Sequence, residues 1–498
     1  MRTAGVSTHL PPLPLLPLLL ANVPTAWRTA LAQEGVPQAP FDPLRPGGRF
    51  VLYQGPRRPA GLSAGQTAIE LSPLPEESPG QPSAARRGWQ LGPLLVSEQV
   101  ARHDHGAIRQ QQMRGLRRRI ESLAGVWIKI APFPFPFRSA FNFRLDHDAY
   151  IAADFDATLA ALAGHEQAVS HYVCGSTHAA HGHALARLRG MDVGGHGYWH
   201  HTYHDADENV ANMAHGFDVL RAAGLEPAGF AAPHGKYTPG LAAALARLGV
   251  THSSEFGYRY DDWPLWPAGS GTLQLPIHPV CLGAALEAAA GCNLKMPSAN
   301  VAALVQQHFQ QVILARYKAG QPILLYGHPD GRLGRHPDLL RKTLELSQTL
   351  PGLWRTSLAG LAGWWQARSE ISFQVWAGGS TLRIDAAGLP RQHRAAVEVW
   401  RGGRAANVPL ADRSTFIAPD QLNYEVRPDD TTPRGQPLPP RETFRQRLLR
   451  RIDWEHVTPT HEIAARTWRG WLKRSLRQVR DRAKSPTTTT TESNQHAG

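Results

Sequence analysis

Apolar strand-like runs alternate with amphipathic helical patterns along residues 141–368, and this alternation limits the possible folds more than any other feature of the sequence. Strand patterns lie at Phe141–Asp146, Ala168–Cys174, Met191–Gly194, Gly229–Ala232, Leu273–Ile277 and Pro322–Tyr326. Helical patterns lie at Ile151–Leu162, Ala206–Ala223, Leu241–Leu248, Val301–Lys318 and Leu339–Leu350. Repeated β-then-α units pair their strands in parallel. We therefore expect an α/β domain, a parallel sheet or distorted (β/α) barrel, over residues 131–368.

The rest of the 498-residue chain reads differently from this central part. Residues 1–130 are rich in Pro and Gly and give an N-terminal region that we cannot assign, ending before an extended Pro-Phe linker at 132–137. Strand signals dominate residues 371–427 and predict a small C-terminal β-sandwich. Basic amphipathic helices are predicted for 441–484, and a polar tail without the means to fold for 485–498.

The positive charge of the chain is concentrated near its C-terminus. Lys and Arg outnumber Asp and Glu by 53 to 40, a net charge of +13, and about eight of these charges fall between Arg441 and Lys484. The His-rich centre is close to neutral, which argues against nucleic acid as a partner. The Trp-bearing basic helices fit two alternatives equally well: contact with an anionic membrane surface, or docking on the protein's own core.

The start of the chain allows two interpretations. Leu10–Ala21 is apolar, Arg2 precedes it, and Ala30-Leu31-Ala32 resembles a signal-peptidase site, so export is one alternative. Four prolines in the run and Arg28 oppose that interpretation, and Trp27–Gly35 reads equally well as a short helix with a C-terminal glycine. We expect a cytoplasmic protein without a membrane-spanning helix, because no apolar run reaches about 18 residues.

Two carboxylates follow the first strand of the predicted barrel. Asp146 and Asp148 lie two residues apart, and alternate residues of a strand share a face. An α/β barrel carries its active site at the carboxyl ends of its strands, so both side chains are expected at the barrel mouth. A helix N-cap or a surface turn is the alternative for an isolated Asp-x-Asp.

Two histidines follow the third strand with a spacing of four. On one helical turn, His196 and His200 would present two imidazoles to one point. Together with Asp148 they predict a divalent-metal site with positions left for water and substrate. Zinc is the default for two imidazoles and a carboxylate, and Co²⁺ or Ni²⁺ fits the same ligands.

These motifs resemble the polysaccharide deacetylase family (NodB homology domain, carbohydrate esterase family 4), in the family's order over residues 141–368. Further matches are Ala231-Ala232-Pro233-His234-Gly235, Tyr260-Asp261-Asp262-Trp263-Pro264 and Leu324-Leu325-Tyr326-Gly327-His328-Pro329. The resemblance implies a deacetylase-type barrel in which Asp148, His196 and His200 hold the metal, Asp146 is the catalytic base and His328 protonates the leaving amine. A capping or core role is the alternative for His328.

The sequence departs from the family at the third motif, where Ala231 stands in place of an arginine that pairs with the catalytic aspartate in the family. Arg144 lies two residues before Asp146 on the same strand face, and we expect it to supply that charge. If nothing replaces the arginine, Asp146 would bind metal or stay inert, and activity would be weakened or lost.

Other residues of the motifs are candidates for binding substrate. His278 closes a strand, Tyr237 and Trp263 could stack on a sugar ring, Asp262 could accept hydrogen bonds from hydroxyls, and Pro233 and His234 belong to the third motif. For the aromatic residues packing is the alternative, for Asp262 a solvated turn, and for His278 a structural role.

Together these features predict a metal-dependent hydrolase of carbon-nitrogen bonds. The expected reaction removes an acyl group, with acetyl as the first candidate, from the amide nitrogen of a sugar or glycan precursor. Two alternatives stay open: hydrolysis of a non-sugar amide on the same fold, and a catalytically impaired glycan-binding protein that keeps the metal site.

Overall fold

The structure is a computed structural model that describes residues 13–45, 47–75, 85–100, 103–256, 263–267, 270–429, 431–439, 444–451, 471–472 and 475–476. No helix within these ranges combines the length and the apolar composition needed to cross a membrane. The cysteines of these ranges, Cys174, Cys281 and Cys292, are free thiols.

The last four residues of the apolar run near the start of the chain, Leu18–Ala21, form an inner strand of a small parallel sheet. The elements of this region are β1 (Leu18–Ala21), α1 (Thr25–Glu34), β2 (Gln38–Pro40), β3 (Phe50–Tyr53) and β4 (Thr67–Glu70). The strand order is β2-β1-β3-β4 with parallel pairing throughout, and Leu18 and Leu19 are buried. Helix α1 ends at Gly35, whose φ of 83° lies in the left-handed region that glycine adopts without strain. The short-helix interpretation thus agrees with the structure, and cellular location stays a prediction.

A hairpin, a long helix and a short strand follow in the chain. They are β5 (Ala85–Leu91), β6 (Leu94–Val100), α2 (His103–Ala124) and β7 (Trp127–Ile130). Met113, Leu116 and Ile120 are buried on one face of α2. Their spacing of three and four residues is that of an amphipathic helix.

The parallel sheet expected between residues 131 and 368 is present, and it closes as a distorted barrel. Its strands are β8 (Ser139–His147), β9 (Val169–Val173), β10 (Asp192–Gly195), β11 (Phe230–Ala231), β12 (His252–Ser254), β13 (Leu273–Gln274), β14 (Ile323–Gly327) and β15 (Leu353–Arg355). The order is β13-β12-β11-β10-β9-β8-β14, with β15 paired to the start of β8, and every pairing is parallel. The backbone N–H of His278 donates to the Leu324 carbonyl (2.9 Å), which joins the segment after β13 to β14.

Helices follow most of these strands along the chain. They are α3 (Ala152–Leu162), α4 (Gly175–His178), α5 (Gly182–Leu185), α6 (Ala206–Ala222), α7 (Pro239–Arg247), α8 (Leu282–Gly291), α9 (Ser298–Ala319), α10 (Pro337–Gln348) and α11 (Leu358–Ser369). On β8, Phe143 packs against Phe309 of α9, whereas the next residue, Arg144, reaches the Ser254 side chain of β12 (2.9 Å). The alternation along β8 therefore separates an outer apolar core from a polar barrel interior.

Antiparallel sheets follow the barrel. Their elements are β16 (Ser372–Gly378), β17 (Thr381–Ala387), β18 (Ala396–Arg401), β19 (Arg404–Pro409), β20 (Ser414–Ile417), β21 (Glu425–Val426), β22 (Gln436–Leu438) and α12 (Phe444–Arg451). The orders are β16-β17-β20 and β21-β19-β18-β7, while β22 extends the β5-β6 hairpin. Strand β7, which pairs with β18, lies outside the range predicted for the sandwich.

The predicted basic helices at 441–484 are described only in part. Within this range α12 and residues 471–472 and 475–476 belong to the described residues, and the tail at 485–498 lies outside them. Phe444 and Leu448 of α12 are exposed (80% and 51%). Contact of this segment with a membrane stays a prediction.

A buried cluster of charges joins the N-terminal sheet to the C-terminal sheets. The Lys129 ammonium on β7 lies 3.0 Å from the Glu34 carboxylate at the end of α1 and 3.3 Å from that of Glu398 on β18. Arg368 of α11 donates to the backbone carbonyls of Ile130 and Ala131, and burial lowers the pKa of its guanidinium to about 10. The regions before and after the barrel are therefore packed against each other through β7.

We expect Lys129→Ala to lower the free energy of unfolding by about 3 kcal/mol, because it leaves two buried carboxylates without the ammonium between them. Urea unfolding followed by tryptophan fluorescence measures the loss. Arg187→Ala, which removes an exposed ion pair with Asp156, is the control and should cost less than about 1 kcal/mol. Equal losses in the two variants would contradict this account of the cluster.

Candidate metal centre

The carboxyl end of β8 carries two carboxylates that lie at different depths in the barrel mouth. All nine residues of β8 are buried, Asp146 is 2% exposed, and Asp148 follows directly after the strand with a side chain that is 20% exposed. Asp146 therefore sits deeper than Asp148. The two predicted roles, a base and a metal ligand, fall on residues with different access to solvent.

Asp148, His196 and His200 come together as the sequence predicts. Their potential ligand atoms all lie within 4.8 Å of one another. The Asp148 Oδ1 atom is 3.3 Å from His196 Nε2 and 3.2 Å from His200 Nε2, and the two Nε2 atoms are 3.1 Å apart. One point is thus faced by two nitrogen donors and one oxygen donor.

The expected helical turn from His196 to His200 is wrong. Residues 196–200 form an irregular loop after β10, and Gly197 has a φ of 76°. A helix cannot contain that left-handed residue without a break, so the chain turns sharply here instead. The imidazoles converge because the loop folds back on itself.

Backbone contacts orient His196 towards the other donors. Its Nδ1 lies 2.7 Å from the Ala231 carbonyl oxygen at the end of β11, so Nδ1 carries the hydrogen and Nε2 keeps its lone pair. Burial lowers the pKa of His196, but the carboxylates of Asp146 and Asp148 outweigh it and raise the pKa overall.

The donor set fits a divalent cation. Among the described residues, no group donates a hydrogen bond to the buried Asp148 Oδ1, and two imidazole Nε2 atoms at 3.1 Å face each other beside it. Burial alone would raise the pKa of Asp148, yet His328, His196 and His200 hold it well below its usual range. Two imidazoles and one ionised carboxylate, with one side left open, are a donor set that suits a divalent metal ion.

Arg144 holds the second carboxylate, Asp146, in the barrel interior. Its Nη2 lies 2.7 Å from Asp146 Oδ2, while Nη1 donates to the Ser254 carbonyl (2.5 Å) and hydroxyl (2.9 Å). The side chains of this pair are 1% and 3% exposed. The structure thus brings Arg144 to Asp146, and Ala231, where the sequence lacks an arginine, is buried beside the site.

His328 completes the group at the end of β14. Its Nε2 lies 3.5 Å from Asp148 Oδ2, and burial lowers the pKa of the imidazole to about 4, although Asp148 opposes the shift. His328 is therefore neutral near pH 7 in this arrangement. Its position places it within reach of a group bound beside Asp148.

Asp330 is a carboxylate near the site that the motif analysis missed. Burial, together with the charge of Asp148, raises the pKa of Asp330 to about 6, and the backbone N–H of Ala149 opposes this. The Oδ1 atom is buried without a hydrogen-bond donor among the described residues. The signal was available in the sequence, since Asp330 follows His328 by two residues.

Pro233, His234 and Tyr237, which were predicted to bind substrate, lie in different surroundings. His234 is exposed, and its ring centroid lies 4.7 Å from that of His200, so it stands at the mouth of the site. Pro233 is buried, and its carbonyl accepts from Thr202 (3.3 Å). Tyr237 is buried in the apolar cluster around α7. Of these, the structure brings His234 to the metal ligands.

The remaining predicted binding residues are not placed at the ligands. His278 is 2% exposed and lies four residues beyond the end of β13, and its Nε2 lies 2.8 Å from His308 Nε2 on α9. Trp263 packs near Phe133 and Trp365, at centroid distances of 5.8 and 6.4 Å. Asp262 lies outside the described residues.

No protein-family model matches the chain, and no curated protein matches it. Solved structures match just under half of it. A Mycobacterium smegmatis protein assigned to the polysaccharide deacetylases is 19% identical with a TM-score of 0.41, covering 48% of this chain and 94% of its own. A Pseudomonas aeruginosa PAO1 protein with the same assignment is 16% identical with a TM-score of 0.39, covering 47% of this chain and 94% of its own. The PuuE allantoinase is 17% identical with a TM-score of 0.38, covering 48% of this chain and 93% of its own. The assignment of the fold rests on the strand order described above, and the proposed chemistry rests on the geometry of the site.

We expect the wild-type protein to bind one zinc ion at this centre and Asp148→Ala to bind it at least about 100-fold more weakly, because the variant loses the charged ligand. Competition with a chromophoric chelator measures the affinity. Asp156→Ala, which removes an exposed carboxylate on α3, is the control and should bind like the wild type. An unchanged affinity in Asp148→Ala would place the metal elsewhere.

Proposed function

We propose that the protein is a metal-dependent hydrolase that removes an acyl group from an amide nitrogen. The observation that carries the proposal is the pairing of two different carboxylates at one barrel mouth. Asp148 joins two imidazoles as a ligand set, and Asp146 is held separately by a buried arginine. This is the arrangement that hydrolysis of an unactivated amide needs, with a site for a Lewis acid beside a positioned base.

The residues divide the chemistry among them. A divalent ion held by Asp148, His196 and His200 would polarise the amide carbonyl and lower the pKa of a water molecule. Asp146 accepts a proton from the attacking water, and Arg144 fixes the direction of its carboxylate. His328, which is neutral near pH 7, passes the proton that Asp146 took from the water on to the leaving nitrogen as the carbon-nitrogen bond breaks. The products are a carboxylic acid and an amine.

The proposed substrate is an N-acetylated sugar or glycan precursor, and the proposed metal is zinc. The solved structures that match the chain include proteins assigned as polysaccharide deacetylases, which supports testing this class first. One side of the site, where His200 is half-buried and His234 exposed, is open to solvent and therefore accessible to a substrate.

The alternative of a non-sugar amide keeps the same residues in the same roles and differs only in the substrate. The impaired glycan-binding alternative rested on the missing arginine of the third motif. The Arg144–Asp146 contact of 2.7 Å supports an intact base and therefore favours an enzyme.

Zinc-loaded protein should release acetate from chitooligosaccharides or nucleotide-linked N-acetyl sugars, and Asp146→Asn and His196→Ala should each reduce the rate at least about 100-fold. Enzymatic detection of free acetate measures the reaction. Glu398→Gln, which alters a buried carboxylate of the C-terminal sheet, is the matched control. Release of a different acid or of an amine from a non-sugar amide panel would favour the alternative substrate. Binding of these glycans without any release would support the impaired protein.

Arg144→Ala should lower kcat about 100-fold while zinc affinity stays within about threefold, because Arg144 orients the base and contacts no ligand. Arg144→Lys keeps the charge but loses the fork that spans Asp146 and Ser254, so an intermediate rate is expected. Steady-state kinetics on the best substrate and chelator competition give the two readouts. An Arg144→Ala enzyme with the wild-type kcat would show that Asp146 needs no cation.

A further inference from the structure

A buried asparagine on α6 contacts the backbone on both sides of the metal ligand His200. Asn212 lies in the second turn of α6 and is 1% exposed. Its Oδ1 accepts from the backbone N–H of Trp199 (2.7 Å), and its Nδ2 donates to the carbonyls of Trp199 (3.1 Å) and His201 (3.0 Å). Asn212 lies outside the sequence motifs that predicted the site, and the proposed chemistry gives it no role.

These contacts use the whole amide of Asn212. An asparagine side chain offers two N–H donors and one carbonyl oxygen, and here each of them is bound to the backbone of residues 199–201. Exchanging the two ends of the amide would set an N–H group against the Trp199 N–H and an oxygen against two carbonyls. The orientation of the amide is therefore fixed. A buried amide with all its groups paired specifies one conformation of the segment that it contacts.

The first part of the loop is held by other contacts. The carbonyls of Gly197 and Tyr198 each accept from a backbone N–H group at the start of α4 (2.8 Å). The N–H of Tyr198 donates to the backbone carbonyl of Asn212 (2.9 Å). Because these are contacts between main chains, they do not depend on the Asn212 side chain. The side chain acts on residues 199–201, the part of the loop that carries His200.

A second asparagine of α6 makes the same kind of contact one turn earlier. Asn209 is also 1% exposed, and its Oδ1 accepts from the Tyr203 N–H (3.0 Å). Its Nδ2 donates to the carbonyls of Tyr203 and Asp205 (2.8 Å each). The two asparagines are therefore alike in burial and in the number of side-chain hydrogen bonds. They differ in the segment of chain that they hold.

We propose that Asn212 is a positioning residue for the metal ligand His200, acting through the backbone of residues 199–201. The inference rests on the proposed metal centre. The turn between the two histidine ligands is not helical, and Gly197 has a φ of 76°. The Asn212 amide takes the place of the hydrogen bonds that a helix would supply, because it ties the carbonyls on either side of His200 to one point of α6. Without the amide this backbone can shift, and the His200 Nε2 donor loses its fixed direction.

The test compares zinc affinity, measured by chelator competition on the full chain, across Asn212→Ala, Asn212→Leu and the matched control Asn209→Ala. We expect both Asn212 variants to bind zinc about 10-fold more weakly than wild type, as for loss of outer-shell support of a metal ligand. Leucine fills the space of the amide but makes no hydrogen bonds. Asn209→Ala removes as many hydrogen bonds from an equally buried position and should bind within about twofold of wild type.

A second comparison shows whether the effect passes through His200. In a His200→Ala background, Asn212→Ala should weaken zinc binding by less than about twofold, because the ligand that it positions is already gone. Thermal unfolding of the metal-free proteins shows whether each variant is folded at the assay temperature.

Wild-type affinity in a folded Asn212→Ala or Asn212→Leu variant overturns the inference. So does an equal loss in Asn209→Ala, or an undiminished effect of Asn212→Ala in the His200→Ala background. If Asn212→Ala and Asn212→Leu do not fold, Asn212→Asp decides, because it keeps the size and the acceptor for Trp199 but loses at least one donated hydrogen bond. Weaker zinc binding by Asn212→Asp then supports the role, and unchanged binding overturns it.

The outcomes also separate this inference from the proposed function. Zinc binding that responds as expected, in a protein that releases no acid from any amide, overturns the proposed function and leaves this inference standing. A wild type that binds no zinc overturns both.

Discussion

An arginine buried inside a barrel needs a carboxylate, and this requirement organises the interior here. Arg144 is 1% exposed, so its charge is tolerated only with an ionised partner beside it. Asp146 provides the charge, Ser254 provides acceptors, and the rings of Tyr172 and Tyr326 flank the guanidinium at 5.9 and 5.2 Å. Strands β8, β9, β12 and β14 thus meet around one side chain. The proposed base is held by the core of the barrel, and its position is as rigid as the packing around it.

The site is built in layers that differ in what each contributes. Asp148 after β8 and the two histidines after β10 form the candidate ligand set, and His328 lies beside them after β14. Behind them, the backbone carbonyl of Ala231 sets the orientation of the His196 ring. Each layer is less visible in the sequence than the one in front of it, because backbone contacts leave no residue-type signature.

Much of the barrel could be read from the sequence because periodicity reports burial directly. The apolar alternation of β8 fixed its inner face, and with it the proximity of Arg144 to Asp146. The route from His196 to His200 could not be read in the same way. A spacing of four is compatible with a helical turn, and only the positive φ of Gly197 decides for a loop. His278 was assigned to the pocket because it was predicted to close a strand, but β13 already ends at Gln274 and the His278 ring contacts His308 instead. Residues brought together by chain reversal or by very short strands lie beyond what local patterns report.

Strand β7 was not predicted from the sequence. Its pairing with β18 bears on the order in which parts of the molecule can fold. β7 and β18 are neighbours in one sheet, yet the whole barrel lies between them in the sequence. Such a contact closes a very long loop, and its entropic cost falls only when the intervening segment is already compact. We therefore expect the sheet to assemble after the barrel has brought residues 130 and 397 near each other. During synthesis β7 leaves the ribosome long before its partner β18. Until β18 has emerged, the edge of β7 that β18 will cover is unpaired and open to pairing with other chains.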